Sequence, residues 1–199
     1  MDDEYSKAKK VSQCAWSSSS NSPTIGREKP FLSWPVLARS ALWSGSADKV
    51  AFLYDIGADV AFNYKTSDTR EVLGCEGPVD IYWDNVGDDT LDATLEYAAI
   101  NARFLECGLI SNLNASGAQS LDPLLVLSKS ISLQGIASFR IIPKHEAAFY
   151  ARVPEKLAKG EIQYREDVRR GIESVEEMLE AVQKGTNEGK AVVVVVAEE

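Results

Sequence analysis

The stretch "SGSADKVAFLYDIGADVAFNYK", residues 44–65, changes its periodicity halfway along. Ser46 stands where a side chain can cap a helix, with Asp48 in the first turn. Val50, Leu53 and Ile56 then share one face, and Gly57 supplies the stop. "ADVAFNY" follows at once as a short β-prone run. A helix passing directly into a strand is the repeating unit of a parallel α/β sheet.

The same alternation continues downstream. A short helix is expected from about Ser67 to Leu73. "VDIYWDNV" is nearly all apolar until its polar end, as in a strand buried on both faces. "TLDATLEYAAI" reads as a helix with Leu91, Leu95 and Ala98 on one side. "ARFLECGLIS" is the next strand, "DPLLVLSKS" a helix opened by Pro123, and "ISLQGIASF" another strand. "PKHEAAFYARVPEKLAKG" is helical, with Pro154 expected to kink or split it.

Both ends differ from this middle. Before residue 44 the chain contains "SSSSNSP" and three prolines, Pro23, Pro30 and Pro35, which suggests a poorly ordered arm. After residue 160 come a polar-alternating strand, "EIQYREDV", and a helix, "SVEEMLEAVQKG". That helix offers a capping box from Ser174 to Glu177 and a stripe of Val175, Met178, Leu179 and Val182. "AVVVVVA" is a strongly β-prone terminal strand.

Composition narrows the function. A net charge of −9 over 199 residues argues against a nucleic-acid backbone or an anionic membrane as partner. No apolar run approaches the length of a spanning helix. The N-terminus lacks the apolar core of a secretory signal. Cys14, Cys75 and Cys107 are scattered and odd in number, so they suggest no disulfide framework and fit a reducing cytoplasm. One histidine, His145, with dispersed cysteines does not make a metal site.

In an open parallel sheet, ligands bind beyond the carboxyl ends of the strands. Those ends are expected at Asn63-Tyr64-Lys65, at Asp84-Asn85-Val86-Gly87, at Cys107-Gly108 to Ser111, and at Ser138-Phe139-Arg140. They collect amides, hydroxyls, glycines and aromatic surface, which suit a nucleotide. The same residue types also gather in strand-to-helix turns for conformational reasons alone, and the residues by themselves leave both readings open.

Five stretches in order, "GSADKVAFLYDIGADVAFNYK", "DIYWDNVGDDTLDATL", "LECGLIS", "GEIQYREDV" and "NEGKAVV", resemble the medium-chain dehydrogenase/reductase superfamily. The resemblance is closest to its zinc-independent branch of leukotriene B4 12-hydroxydehydrogenases, prostaglandin reductases and 2-alkenal reductases. It implies an incomplete Rossmann-like, doubly wound parallel α/β sheet with a C-terminal remnant of the catalytic domain. Residues 44–160 would be a partial NADP-binding domain, 161–199 the remnant, and 1–43 the atypical arm.

The resemblance also implies roles. Lys49 matches the lysine that meets the 2′-phosphate and selects NADP, and Tyr64 the tyrosine near the same end of the cofactor. Asn85 and Gly87 in "DNVG", and Cys107, Gly108 and Ser111 in "CGLIS", match positions along the cofactor path. Phe139 stands where the family carries an aromatic beside the nicotinamide. Asn187, Gly189 and Lys190 match a C-terminal turn that contacts cofactor. Without the resemblance Cys107 is a small core residue, and His145 lies outside every motif.

Two departures accompany it. Leu113 stands where relatives carry a tyrosine that donates to the developing enolate oxygen. The first strand of the nucleotide fold and its glycine-rich phosphate loop are not recognisable before residue 44. The function implied is hydride transfer from NADPH to an activated C=C bond of an enone or enal, impaired by truncation. The alternative is a catalytically silent nucleotide-fold fragment acting through protein interaction. An unpaired terminal strand near Ala191–Val196 would favour homo-oligomers through exposed strands. A short-chain dehydrogenase is excluded, because Tyr64-Lys65 lacks the Tyr-x-x-x-Lys spacing.

Overall fold

The computed structural model of the protein describes residues 13–17, 39–109 and 121–195. Among these, a six-stranded sheet is built from β1 (Gln13–Ser17), β2 (Arg39–Ser44), β3 (Val60–Asn63), β4 (Val79–Asp84), β5 (Ala98–Glu106) and β6 (Ser132–Gly135). Its order is β3-β2-β1-β4-β5-β6, the strand order of a dinucleotide-binding sheet. Helices α1 (Ala47–Asp55), α2 (Thr69–Glu76), α3 (Asp88–Glu96), α4 (Pro123–Ser128) and α5 (Ser138–Ala158) connect or follow these strands. A separate parallel pair, β7 (Glu166–Arg170) and β8 (Lys190–Val194), flanks α6 (Ser174–Lys184).

The expected helix starts are realised by capping. Ser46 accepts from the Lys49 N–H at 3.4 Å, and Asp68 accepts from the Arg70 and Glu71 N–H groups at 2.7 and 3.4 Å. Gly57 takes a positive φ of 99° just past α1, where a side chain would be strained. One cap differs from expectation. Ser174 is the first residue of α6 and its hydroxyl donates to the Arg170 carbonyl at 2.7 Å, so no capping box forms.

Alternation along the strands then divides the core. On one face, Ala41, Trp43, Phe62, Val79, Tyr82, Ala102 and Phe104 pack with Leu73 of α2 and with Leu91 and Leu95 of α3. On the other, Leu42 and Ala61 pack with Leu53 and Ile56 of α1. Aromatic stacking ties the first face together. Trp43 stacks on Phe62 at 5.4 Å and on Tyr82 at 6.1 Å, and Tyr82 meets the edge of Phe104 at 5.2 Å.

The central strand is the main surprise. Residues before 44 were expected to be a poorly ordered arm, leaving the sheet without its middle strand. Instead β1 lies between β2 and β4, antiparallel to both, with Ala15 opposite Ala41 and Tyr82. Open ladders on β2 and β4 would leave rows of backbone groups without partners, and an interposed strand satisfies them. The expected boundary after Trp43 therefore falls within β2, which pairs in parallel with β3 from Ala41 to Ser44.

Smaller differences follow from packing. Ala98–Ile100 begin β5 rather than ending α3, because Val79 of β4 takes Ala98 as its partner. Trp83 is 39 % exposed, so β4 is not covered on both faces. Ser138-Phe139-Arg140 open α5 and do not end β6, which stops at Gly135. Neither Pro154 nor Pro143 splits α5. No side chain of that helix is buried, so water can take the carbonyls that the prolines leave without an N–H. The terminal strand β8 is paired along one side with β7, not isolated. Among the described residues, no helix is long and apolar enough to cross a membrane.

Candidate functional site

Strands β2 to β6 all run one way, so their carboxyl ends share one edge of the sheet. That edge brings together the residues expected at the ends of β3, β4 and β5. β1 runs against the others. Its first residue, Gln13, pairs with Trp43 near the ligand edge, while its carboxyl end, Ser17, pairs with Arg39 at the far edge. A phosphate loop must follow the carboxyl end of the central strand to present a helix N-terminus to the ligand. Here that end points away from the ligand edge.

At the β2–β3 end the chemistry is cationic. Lys49, in the first turn of α1, has its ammonium pKa lowered by burial and by the nearby Lys65, with Glu188 pulling the other way. Two ammonium groups held close favour an anion between them. Tyr64 lies alongside, its hydroxyl oxygen 2.8 Å from where a Cβ on Gly45 would stand, with Lys65 Cε 3.0 Å from the same point. The turn at Gly45 therefore leaves room for both side chains. Lys65 belongs to this cluster, although no motif assigned it a role.

Lys49 also reaches the C-terminal unit, where its ammonium donates to the Gly185 carbonyl at 2.8 Å. Gly185 ends α6 in the left-handed conformation. A second tie lies close by, the Arg165 guanidinium 4.5 Å over the Phe52 ring of α1. Asn187 folds its amide back onto the Gly189 carbonyl at 2.6 Å. Gly189 passes so close to Arg165 that a Cβ would stand 2.3 Å from the Arg165 carbonyl oxygen. Lys190 then opens β8, its N–H on that same carbonyl at 2.8 Å.

At the β4–β5 end the chemistry is acidic and tightly wound. Asp84 is fully buried, and its Oδ1 accepts from the Val86 and Gly87 N–H groups at 2.8 and 2.9 Å, which fixes the turn carrying Asn85. Asn85 Oδ1 accepts from the Trp83 indole at 3.3 Å. Cys107 and Gly108 donate their N–H groups to the Asp84 carbonyl at 2.8 and 3.2 Å. A Cβ on Gly108 would stand 3.1 Å from the Asn85 carbonyl oxygen, so the two turns touch through backbone. Burial, then Glu106 and Asp84, push the Cys107 thiol up to about 11, so it is no thiolate at neutral pH.

The remaining expected residues stand apart or outside. Phe139 is 72 % exposed on the first turn of α5. Ser111, with Leu113, lies outside the described residues. Among the described residues no three His, Cys, Asp or Glu side chains gather to hold a metal. Glu106 is the other group that sequence reasoning passed over. Its only signal was one carboxylate interrupting the apolar run "FLECG".

With this geometry in view, comparison with known proteins gives a consistent result. The sequence model of the zinc-binding dehydrogenase family matches residues 39–153. A zinc-type alcohol dehydrogenase-like protein of Schizosaccharomyces pombe is 36 % identical over 152 residues, 75 % of this chain and 44 % of the relative. The NADP(+)-dependent 2-alkenal reductase of Nicotiana tabacum is 35 % identical over 160 residues, 76 % of this chain and 46 % of the enzyme. The crystal structure of CurA from Vibrio vulnificus in complex with NADPH superposes with a TM-score of 0.70 at 31 % identity, covering 78 % of this chain and 49 % of CurA. The chain spans about half the length of the curated relatives it matches.

Proposed function

The chain belongs to the zinc-binding dehydrogenase family, and from that premise we propose that it is the nucleotide-binding portion of an NADP-dependent oxidoreductase. The cluster of Lys49, Lys65 and Tyr64 at the end of β2 and β3 carries this reading. A doubly charged phosphate monoester is the anion such a pair suits, and a ribose 2′-phosphate places one there. The carboxyl ends of β4 and β5, with Asn85, Gly87, Cys107 and Gly108, offer close backbone approach for the rest of the cofactor. Ser111, Phe139 and the turn of Asn187, Gly189 and Lys190 complete the proposed set.

The fit is uneven along the cofactor. Its 2′-phosphate end meets cations, whereas the carboxyl end of the reversed β1 lies at the edge away from its pyrophosphate. NADPH, when bound, supplies a hydride. The substrates proposed are enones or enals, by analogy with the alkenal reductase of tobacco, and the chemistry is proposed to be zinc-independent. Among the described residues none is placed as proton donor to the reduced substrate. Reduction by the chain alone is therefore expected to be weak.

The domain division proposed is a nucleotide-binding part to residue 160 and a catalytic-domain remnant from 161, in a cytoplasmic protein. The test is calorimetric titration with NADPH and with NADH. Saturable binding of NADPH in the micromolar range, with NADH weaker and Lys49→Ala abolishing the difference, supports the reading. Equal binding of the two, or none, contradicts it.

One observation favours a second reading, a silent fragment that acts through protein contacts. Phe139, Ile142, Phe149 and Tyr150 of α5 are all more than half exposed, as an interaction surface would be. Homo-oligomers through β6 or the β7–β8 edges belong to the same reading. Sedimentation that gives a monomer at high concentration removes it.

A further inference from the structure

Asp84 and Glu106 are partners across the β4–β5 ladder. Their pairing depends on an irregularity. Val79 pairs with Ala98, but the register shifts before Ile81, which pairs with Arg103. Were the first register kept to the strand end, Arg103 would stand opposite Asp84 and form a salt bridge. The shift instead puts a second carboxyl there.

Their carboxyl groups lie side by side at the end of the ladder and act on one another. Glu106 Oε1 is sealed from solvent and meets no N–H or O–H donor among the described residues. Two carboxylates cannot bond one another, because neither has a hydrogen to give. The contact is a hydrogen bond only if one of the two keeps its proton. Asp84 is the more committed acceptor, since the Val86 and Gly87 N–H groups already point at it. The proton therefore belongs to Glu106.

We propose that Glu106 is a positioning residue for the nucleotide edge, sharing its proton with Asp84 so that Asp84 holds the turn through Asn85 and Gly87. Losing that proton leaves two adjoining negative charges at the base of the turn. The turn loosens, and an anionic cofactor above it is repelled. The role of this turn in cofactor binding rests on the function proposed above. The coupling of proton to turn does not.

The surroundings agree. The Glu106 carboxyl is pushed up to about 7, by burial first and then by the Asp84 charge and hydrogen bond. Facing the pair are Tyr82 on β4, Thr94 on α3 beside Tyr82, and Cys107 just past β5. β6 offers only Gly135 opposite Glu106. Among the described residues no cation acts on Glu106. The sign follows. A carboxyl raised in the folded state holds its proton there at a pH where the unfolded chain has lost it. Its stabilising effect is whole below the ordinary Glu range and is lost as pH rises through about 7.

The test uses the full chain without nucleotide first, by amide exchange at Val86 and Gly87 and by carbon NMR titration of the Glu106 carboxyl. The titration is expected near neutrality, with turn exchange accelerating through the same range. Glu106→Gln, whose amide can donate to Asp84, should keep the turn protected at every pH. Glu106→Leu should leave it loose throughout. A Glu106 titration at ordinary glutamate values, or Gln and Leu variants that behave alike, overturns the proposal. NADPH affinity then separates the two readings. Between pH 6 and 8.5 the wild-type affinity, relative to Glu106→Gln, should fall about tenfold, the equivalent of one pKa unit. The cofactor phosphate's own titration cancels in that ratio. A pH-switched turn with no NADPH binding at any pH would sink the nucleotide reading and leave the proton coupling standing.

Discussion

One edge of one sheet carries two opposite chemistries. Where β2 and β3 end, Lys49 and Lys65 crowd two cations around a tyrosine. Where β4 and β5 end, Asp84 and Glu106 crowd two carboxyls beneath a turn. Each pair is costly alone, since like charges raise one another's energy as burial removes water. The cations are relieved by an anion from outside, the carboxyls by a proton from within. A cofactor with phosphates at one end and an uncharged ring at the other matches that polarity, and the strand that should serve its middle runs the wrong way.

One side chain joins the two ends. Trp43 is fully buried and stacks on Phe62 toward one and on Tyr82 toward the other. Trp43→Ala should cost about 3–5 kcal/mol, read as a shift in the denaturant midpoint, and both ends should fail together. Loss of one end with the other intact would show them to be independent.

Next in size is Lys49→Ala. Removing a charge-assisted bond to phosphate costs about 1.5–3 kcal/mol, so NADPH affinity should fall about 10–100-fold with NADH affinity unchanged. The same variant releases Gly185, so protease sensitivity of α6 should rise even without nucleotide. Lys65→Ala should weaken NADPH binding by less, about threefold, as for a more exposed charge. An equal or larger loss at Lys65 would move the centre of the cationic end.

The acidic end has a small but clean signature in thiol chemistry. Cys75 is exposed, whereas Cys107 is held protonated. Iodoacetamide at pH 8 should modify Cys75 well before Cys107, as peptide mass mapping can read. Glu106→Gln should narrow that gap slightly by removing a negative neighbour.

How much of this was legible in the sequence depended on how local its cause was. The start of α1 and the carboxyl-end turns are written within a few residues of Ser46, Asn63 and Asp84, and they were found. The direction of β1 is not local. "QCAWS" takes its place because β2 and β4 lack partners, and periodicity does not record which way a strand runs. Glu106 was visible as a misplaced carboxylate, but its partner is set by a register shift between Val79 and Ile81. Pro154 does not split α5, because the rule for an interior helix does not carry over to one that water surrounds.

The proposed nucleotide site is whole at its adenosine end and incomplete at its centre. Calorimetric titration of the chain with adenosine 2′,5′-bisphosphate and with NADPH tests this directly. If the reversed β1 leaves the pyrophosphate without its helix N-terminus, the two ligands should bind within about threefold of each other. NADPH binding a hundredfold tighter than the bisphosphate, about 2.7 kcal/mol, would mean that a working phosphate cradle exists and would contradict the account.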